Sequence, residues 1–138
     1  MVFQKISLWW GNRYWAFALL LVWMGVIFSF SMLSGKETSG PTPLWYFIER
    51  KGAHVIECAF LMTLAFHYFQ IVFKHESFRR VILLSGVFAL TYGVTDELHQ
   101  FFVPLRGARF MDVGIDSIGI LFAGLFLFGM RQYKNRSK

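Results

Sequence analysis

Acidic residues and histidines occur inside segments of this chain that are otherwise strongly apolar. They form three groups, His54-x-x-Glu57, Asp96-Glu97-x-His99-Gln100 and Asp112-x-x-x-Asp116. A charged group at the centre of a bilayer costs roughly 3 kcal/mol even on the most lenient insertion scale, and such residues usually mark a functional site. Histidine titrates near neutral pH and can act as a general base, and a carboxylate can orient it or act as an acid. These three groups are therefore the candidates for chemistry.

The apolar segments that carry these groups are long enough to cross a membrane. Of the 138 residues, 56% are hydrophobic and only 16% are charged, so the chain reads as an integral membrane protein, with one domain over residues 1–138. About 20 apolar residues span the hydrocarbon core. Four segments qualify: Tyr14–Leu33, Ala53–Phe73, Val81–Phe101 and Asp112–Met130. We predict an all-α fold with four transmembrane helices in a compact bundle, the first retained and not cleaved as a signal peptide.

The connecting segments predict one further element. Residues 34–43 are rich in Gly, Ser, Thr and Pro and are typical of a loop. Thr42 followed by Pro43 is a plausible helix start, so we predict a short interfacial helix over Pro43–Arg50, between helices 1 and 2. Pro104 and Gly107 predict a turn in the loop before helix 4.

Positive charge sets the expected orientation. Nine of the 14 Lys and Arg residues lie in the N-terminal segment, the loop between helices 2 and 3, and the C-terminal tail. The remaining five, on the opposite side, are Lys36, Arg50, Lys51, Arg106 and Arg109. Positive residues stay in the cytoplasm, which places both termini inside. The net charge of +6 is explained by topology and anionic lipid, and no nucleic-acid partner is expected.

This topology brings the polar groups together. Helix 2 begins, helix 3 ends and helix 4 begins on the outer side. Gly86 and Gly93 share a face of helix 3, and Gly119 and Ala123 share one on helix 4, so close packing should turn the polar groups inward. The residues predicted at one level near the outer face are Lys51, His54, Glu57, Asp96, Glu97, His99, Gln100, Arg106, Asp112 and Asp116.

Three motifs carry a resemblance to a known family. They are Lys51-x-x-His54-x-x-Glu57, then Tyr92-Gly93-x-x-Asp96-Glu97-x-His99-Gln100-x-Phe102-x-Pro104-x-Arg106, then Asp112-x-x-x-Asp116-x-x-Gly119. Over helices 2 to 4 the chain resembles the VanZ-like family of small bacterial membrane proteins, named after a protein associated with teicoplanin resistance. The resemblance implies a multi-pass protein of the bacterial plasma membrane linked to the cell envelope.

The first functional hypothesis is an outward-facing pocket for an anionic lipid, a lipid-linked envelope intermediate or a glycopeptide-type ligand. Arg106 could clamp a phosphate or carboxylate, with Lys51 and Gln100 beside it. The candidate acid–base residues are His54, Glu57, Asp96 and His99, and the supporting residues are Glu97, Asp112 and Asp116. The sequence leaves open whether any reaction is catalysed.

Three alternatives stay open. A divalent metal, such as zinc, manganese or iron, could bind candidates among His54, Glu57, Asp96 and His99, and Asp112 and Asp116 are permissible ligands as well; no other cofactor is expected. Intramembrane acids and histidines could also relay protons or solutes. Finally, the polar groups could be a purely structural network that fixes helix register. Besides membrane lipids and the amphiphilic ligand, the sequence indicates no partner, and it does not reveal the oligomeric state.

Overall fold

The computed structural model describes residues 11–33, 44–104 and 110–137, and within these ranges every regular element is an α-helix. We number the helices α1 to α4 in chain order. Their bounds are Arg13–Ser31 for α1, Leu44–Val72 for α2, Phe78–Phe101 for α3 and Phe110–Arg136 for α4. They pack as a bundle, which confirms the predicted fold.

Each helix contains a segment long and apolar enough to cross a membrane. These segments are Arg13–Ser31, Arg50–Val72, Phe78–Phe101 and Met111–Arg136. They agree with the predicted spans to within a few residues, except that α4 continues past Met130. Its last turns contain Arg131, Gln132 and Lys134, which are good helix formers, so nothing in the sequence ends the helix where the apolar residues stop.

Local capping explains where two helices start. The Asn12 side chain accepts a hydrogen bond from the Tyr14 backbone N–H at 2.9 Å, and the Ser77 hydroxyl accepts one from the Arg80 N–H at 3.3 Å. Each cap satisfies a backbone donor that has no partner within its own helix. The cap at Ser77 starts α3 soon after α2 ends, which forces the two helices to run in opposite directions.

The predicted interfacial helix is helical, but it is not a separate element. Leu44–Arg50 forms the first turns of α2, which runs without a break to Val72. The sequence contains no proline or other strong breaker between these points, and Gly52 alone lowers helix propensity by only about 1 kcal/mol. Pro43 itself lies outside the described residues.

The core follows the α2 axis, because α2 packs against all three other helices. Leu61, Met62, Ala65 and Ala89 are almost completely buried at its centre. Large apolar side chains, by contrast, cover the outside of the bundle. Such an inversion suits a protein whose outer surface contacts lipid tails.

Contacts along the bundle define two ends. At one end, which we call the aromatic end, Phe17 packs on Tyr68 and Phe78 packs on Phe66 and Phe128, with ring centroids 5.3 to 6.5 Å apart. At the opposite end, the end of α1, the start of α2, the end of α3 and the start of α4 meet; we call it the polar end. Successive helices therefore alternate in direction, and the described chain begins and finishes at the aromatic end.

Two side chains tie α1 to its neighbours. The Trp23 indole Nε1 donates to the Glu57 carbonyl oxygen on α2 at 3.1 Å, and the Tyr92 hydroxyl on α3 donates to the Met24 carbonyl oxygen at 2.6 Å. Both tips bond to backbone carbonyls in the partly buried interior of the bundle, where Tyr and Trp usually find such a partner. They fix the height of α1 against α2 and α3.

We expect Tyr92→Phe to lower the stability of the folded protein by about 1 kcal/mol, the net value of one hydrogen bond. The Met24 carbonyl keeps its helical partner, so the loss stays modest. Thermal denaturation in mild detergent measures the change. Tyr133→Phe is the control because Tyr133 is 78% exposed. Equal shifts for the two variants would show that the Tyr92 bond contributes nothing.

Candidate functional site

The centre of the polar end is a contact between α2 and α4. His54 Nδ1 lies 3.3 Å from Asp116 Oδ1, and both residues are buried, at 8% and 2% exposure. The distance suits an ion pair, yet this Asp116 oxygen receives no well-directed hydrogen bond from the described residues. A histidine and a carboxylate are thus held together away from water.

Two glycines bring Asp116 to this position. Gly119, one turn further along α4, lies directly against the Val55 carbonyl oxygen of α2, where a β-carbon would collide with it. On the other side, a β-carbon on Gly93 of α3 would lie only 3.1 Å from Asp116 Oδ2. The small residues let the helices approach, so the Asp116 carboxylate lies between α2 and α3.

A second ion pair joins the starts of α2 and α4. The Lys51 ammonium donates to Asp112 Oδ1; Lys51 keeps 19% of its side chain exposed and Asp112 only 7%. Asp112 lies in the first turn of α4, where a carboxylate also interacts favourably with the helix dipole. The pair therefore joins α2 to α4 about one turn before His54 and Asp116.

Asp96, Glu97 and Gln100 on α3 make different contacts. Gln100 Nε2 donates to Asp96 Oδ2 at 2.7 Å, and both residues are buried. The other Asp96 oxygen, Oδ1, receives no hydrogen bond from the described residues. Glu97 is 5% exposed and faces His54 and Asp116. Gln100 therefore orients Asp96.

His99 is placed differently from our prediction. Its ring packs on Phe28 of α1 with centroids 4.6 Å apart, and its Nδ1 lies 3.3 Å from the Ser31 hydroxyl. It therefore faces α1 and not the contact between α2, α3 and α4. The sequence analysis gave α1 no part in the site, although Ser31, a polar residue near the end of an apolar helix, was a signal available for it.

The remaining predicted residues lie at the edge of the site or outside the part of the chain that the structure describes. Glu57 is half-buried on α2, one turn from His54 and next to Cys58 in the chain. Cys58 is buried beside Asp116, a neighbour that the sequence analysis did not identify. Arg106 and Arg109 lie outside the described residues, so their predicted contacts stay predictions.

Comparison with known proteins shows which family the chain belongs to. The family model described as VanZ/LLP1 matches residues 15–131. The chain belongs to the VanZ/LLP1 family. Searches of curated proteins and of solved structures give no match. The family match, together with the four apolar helices, establishes a multi-pass membrane protein and confirms the resemblance found in the motifs.

In this VanZ/LLP1 family member, three buried side chains at the polar end could hold a metal ion. Ligand atoms of His54, Glu97 and Asp116 all lie within 4.8 Å of one another, and each comes from a different helix. The predicted candidates were His54, Glu57, Asp96 and His99, with Asp112 and Asp116 as further permissible ligands. His54 and Asp116 are common to both sets, whereas Glu97 was not among the predicted ligands.

The transport hypothesis gains no support from the interior of the bundle. Between the polar end and the aromatic end, the described core contains Leu61, Met62, Ala65, Ala89 and Ile120. His67 is half-buried nearer the aromatic end. A proton or solute relay needs polar groups or water along its path, whereas these side chains form an apolar layer.

Proposed function

We propose that this VanZ/LLP1 family member binds an amphiphile of the bacterial envelope at the polar end. The ligand is an anionic lipid, a lipid-linked envelope intermediate or a glycopeptide-type molecule. One observation carries the proposal: an apolar groove between α3 and α4 begins one helical turn from the buried polar residues. A molecule with a charged head and a long apolar chain matches this arrangement.

The groove has a volume of about 540 Å³ and is lined almost entirely by apolar side chains. On α3 it extends from Leu90 to Ile82, and on α4 from Ser117 to Phe128. Leu90 is three residues from Gly93, and Ser117 directly follows Asp116, so the groove adjoins the site. The 12 residues from Ser117 to Phe128 rise roughly 16 Å, about half the thickness of the hydrocarbon core.

The charges at the polar end suit a head group that carries hydroxyls as well as an anion. Lys51 is partly exposed and can contact a phosphate while it pairs with Asp112. Arg106, in the loop that precedes α4, is proposed as the second cation. Buried carboxylates such as Asp96 would accept hydrogen bonds from hydroxyls, as polar groups in ligand pockets generally do.

His54 would act first if the bound head group reacts. A general base needs a proton-accepting side chain that a neighbouring group holds in place. The ring of His54 beside the Asp116 carboxylate has this arrangement. We propose binding as the primary function, and His54 as the residue where any chemistry would begin.

The proposal requires the polar end to face outward, in the plasma membrane, with both termini in the cytoplasm. The excess of Lys and Arg near the termini and in the loop between α2 and α3 supports this orientation. Fusions of a cytoplasm-dependent fluorescent protein and a periplasm-dependent phosphatase to the C-terminus test it. We expect fluorescence without phosphatase activity; the reverse result would place the site on the wrong side.

Native mass spectrometry after gentle extraction tests the ligand. Purified protein is mixed with equal amounts of phosphatidylglycerol, phosphatidylethanolamine and a polyprenyl phosphate, with teicoplanin in a parallel sample. We expect retention of an anionic amphiphile in preference to phosphatidylethanolamine. Arg106→Ala and Gly86→Leu should each lower retention roughly tenfold, equivalent to about 1.4 kcal/mol.

The groove variant has a matched control. A β-carbon at Gly86 meets only ordinary contacts, at 3.7 Å or more, so the substitution starts without a clash and the rest of the leucine side chain fills part of the groove. At Gly25 on α1 a β-carbon meets nothing within 4 Å, so Gly25→Leu should leave retention unchanged. Equal retention by wild type, Gly86→Leu and Arg106→Ala would contradict the proposal.

A further inference from the structure

We propose that His54, Glu97 and Asp116 form a binding site for one divalent transition-metal ion. The three residues project from α2, α3 and α4 and meet at the polar end. All are buried, and one ligand atom from each lies within 4.8 Å of the others. The site goes beyond the proposed amphiphile binding and does not depend on it.

A buried carboxylate oxygen of the triad gives an independent reason to expect a cation. Asp116 Oδ1 is inaccessible to solvent and receives no well-directed hydrogen bond from the described residues, and its neighbour at 3.3 Å, His54 Nδ1, belongs to the same triad. An ionised oxygen in such a place is costly unless it is paired or bound to a metal. Lys51 is already paired with Asp112, and it lies about one turn away from His54.

The distances fit ligands that surround a common ion. Zinc binds imidazole nitrogen and carboxylate oxygen at about 2.0 to 2.2 Å, so two ligands at a tetrahedral angle lie about 3.3 Å apart. His54 Nδ1 and Asp116 Oδ1 are separated by 3.3 Å. The other separations in the triad lie within 4.8 Å, so they would have to shorten by at most about 1.5 Å when an ion binds.

The ligand types narrow the choice of metal. One imidazole and two carboxylates suit zinc, manganese or iron(II), and they lack the sulfur that copper(I) prefers. Three protein ligands leave at least one coordination position open, as in catalytic zinc sites. At the polar end, that position would present positive charge to a phosphate or other anion.

The experiment measures metal binding by the full chain in mild detergent, with any affinity tag removed. Elemental analysis of protein purified without chelator should give close to one transition-metal ion per chain. Removal by chelator followed by titration with Zn²⁺ or Mn²⁺ should restore it. Changing a residue that only hydrogen-bonds to a metal ligand typically lowers metal affinity 10- to 100-fold. His54→Gln and Asp116→Asn change ligands themselves, so each should weaken binding at least about tenfold.

Controls separate this site from weak surface binding. Glu76 is an exposed acid in the loop between α2 and α3, where it pairs with Arg80 in the first turn of α3. Glu76→Gln should leave the metal affinity unchanged. If a site variant does not fold, pulsed electron paramagnetic resonance of Mn²⁺ in the wild type decides, because a bound histidine gives nitrogen modulation. Absence of stoichiometric metal and of this modulation would overturn the proposal and favour a proton shared by His54 and Asp116.

Discussion

Replacing Gly119 by leucine is expected to separate α2 from α4 and to leave little folded protein. A β-carbon at this position would collide with the Val55 carbonyl oxygen, which belongs to helix backbone and cannot rotate aside. Overpacking usually costs about 1 to 3 kcal/mol, and a collision with backbone falls at or above the upper end. The contact is also the one that aligns Asp116 with His54, so the site should be lost together with the helix packing.

Size-exclusion chromatography and thermal denaturation in mild detergent measure this effect for Gly119→Ala and Gly119→Leu. Gly129 lies on the same helix, where a β-carbon meets nothing within 4 Å, so Gly129→Ala and Gly129→Leu are the controls. The intrinsic gain in helix propensity on replacing glycine, up to about 1 kcal/mol, cancels between the two positions. Stability should fall already with alanine, and further with leucine, at Gly119 and at neither step at Gly129. Parallel behaviour at both positions would show that α2 and α4 do not approach as closely as described.

The sequence was sufficient to predict the membrane spans and the meeting of the polar groups. Span length depends on local composition, so four apolar segments gave four helices. Alternation of direction then required the start of α2, the end of α3 and the start of α4 to share a level. The contacts of Lys51 with Asp112 and of His54 with Asp116 agree with this expectation.

The rotation of each helix about its own axis was not predictable from spacing. Successive residues of an α-helix differ by 100°, so His99 is turned about 60° from Asp96 in one direction, and Glu97 about 100° in the other. The sequence grouped His99 with Asp96, whereas the structure turns His99 towards Phe28 and Ser31 of α1. Only the neighbouring helices decide which part of such a polar arc faces the centre.

The same limit explains the change in the candidate metal ligands. Spacing relates residues on one helix, such as His54 and Glu57, or Asp96 and His99. The observed triad instead takes one residue from each of three helices. Asp116 could be recognised in the sequence as an acid too deep in α4 to cap it, but its position opposite His54 depends on Gly119 and Gly93, which set the distances between helices.

Lys51→Met is expected to destabilise the protein strongly, and more than Asp112→Asn. Removing one partner of a buried ion pair typically costs about 3 to 5 kcal/mol, because the other charge remains buried. Asp112 is 5% exposed and would keep an uncompensated carboxylate. After Asp112→Asn, by contrast, the long Lys51 side chain can extend towards the interface. Denaturation in mild detergent should therefore show a lower stability for Lys51→Met than for Asp112→Asn.

The double variant Lys51→Met/Asp112→Asn separates structural from functional roles of this pair. If the pair stabilises the bundle by compensating a buried charge, the double variant should be more stable than Lys51→Met alone, a coupling that a double-mutant cycle measures. Arg80→Met breaks the exposed pair with Glu76 and should have little effect, since exposed pairs contribute little. If Lys51→Met is as harmless as Arg80→Met, the ammonium does not hold the bundle together and is free to bind a head group. A large loss with strong coupling would instead assign Lys51 to the scaffold and leave Arg106 as the cation for the ligand.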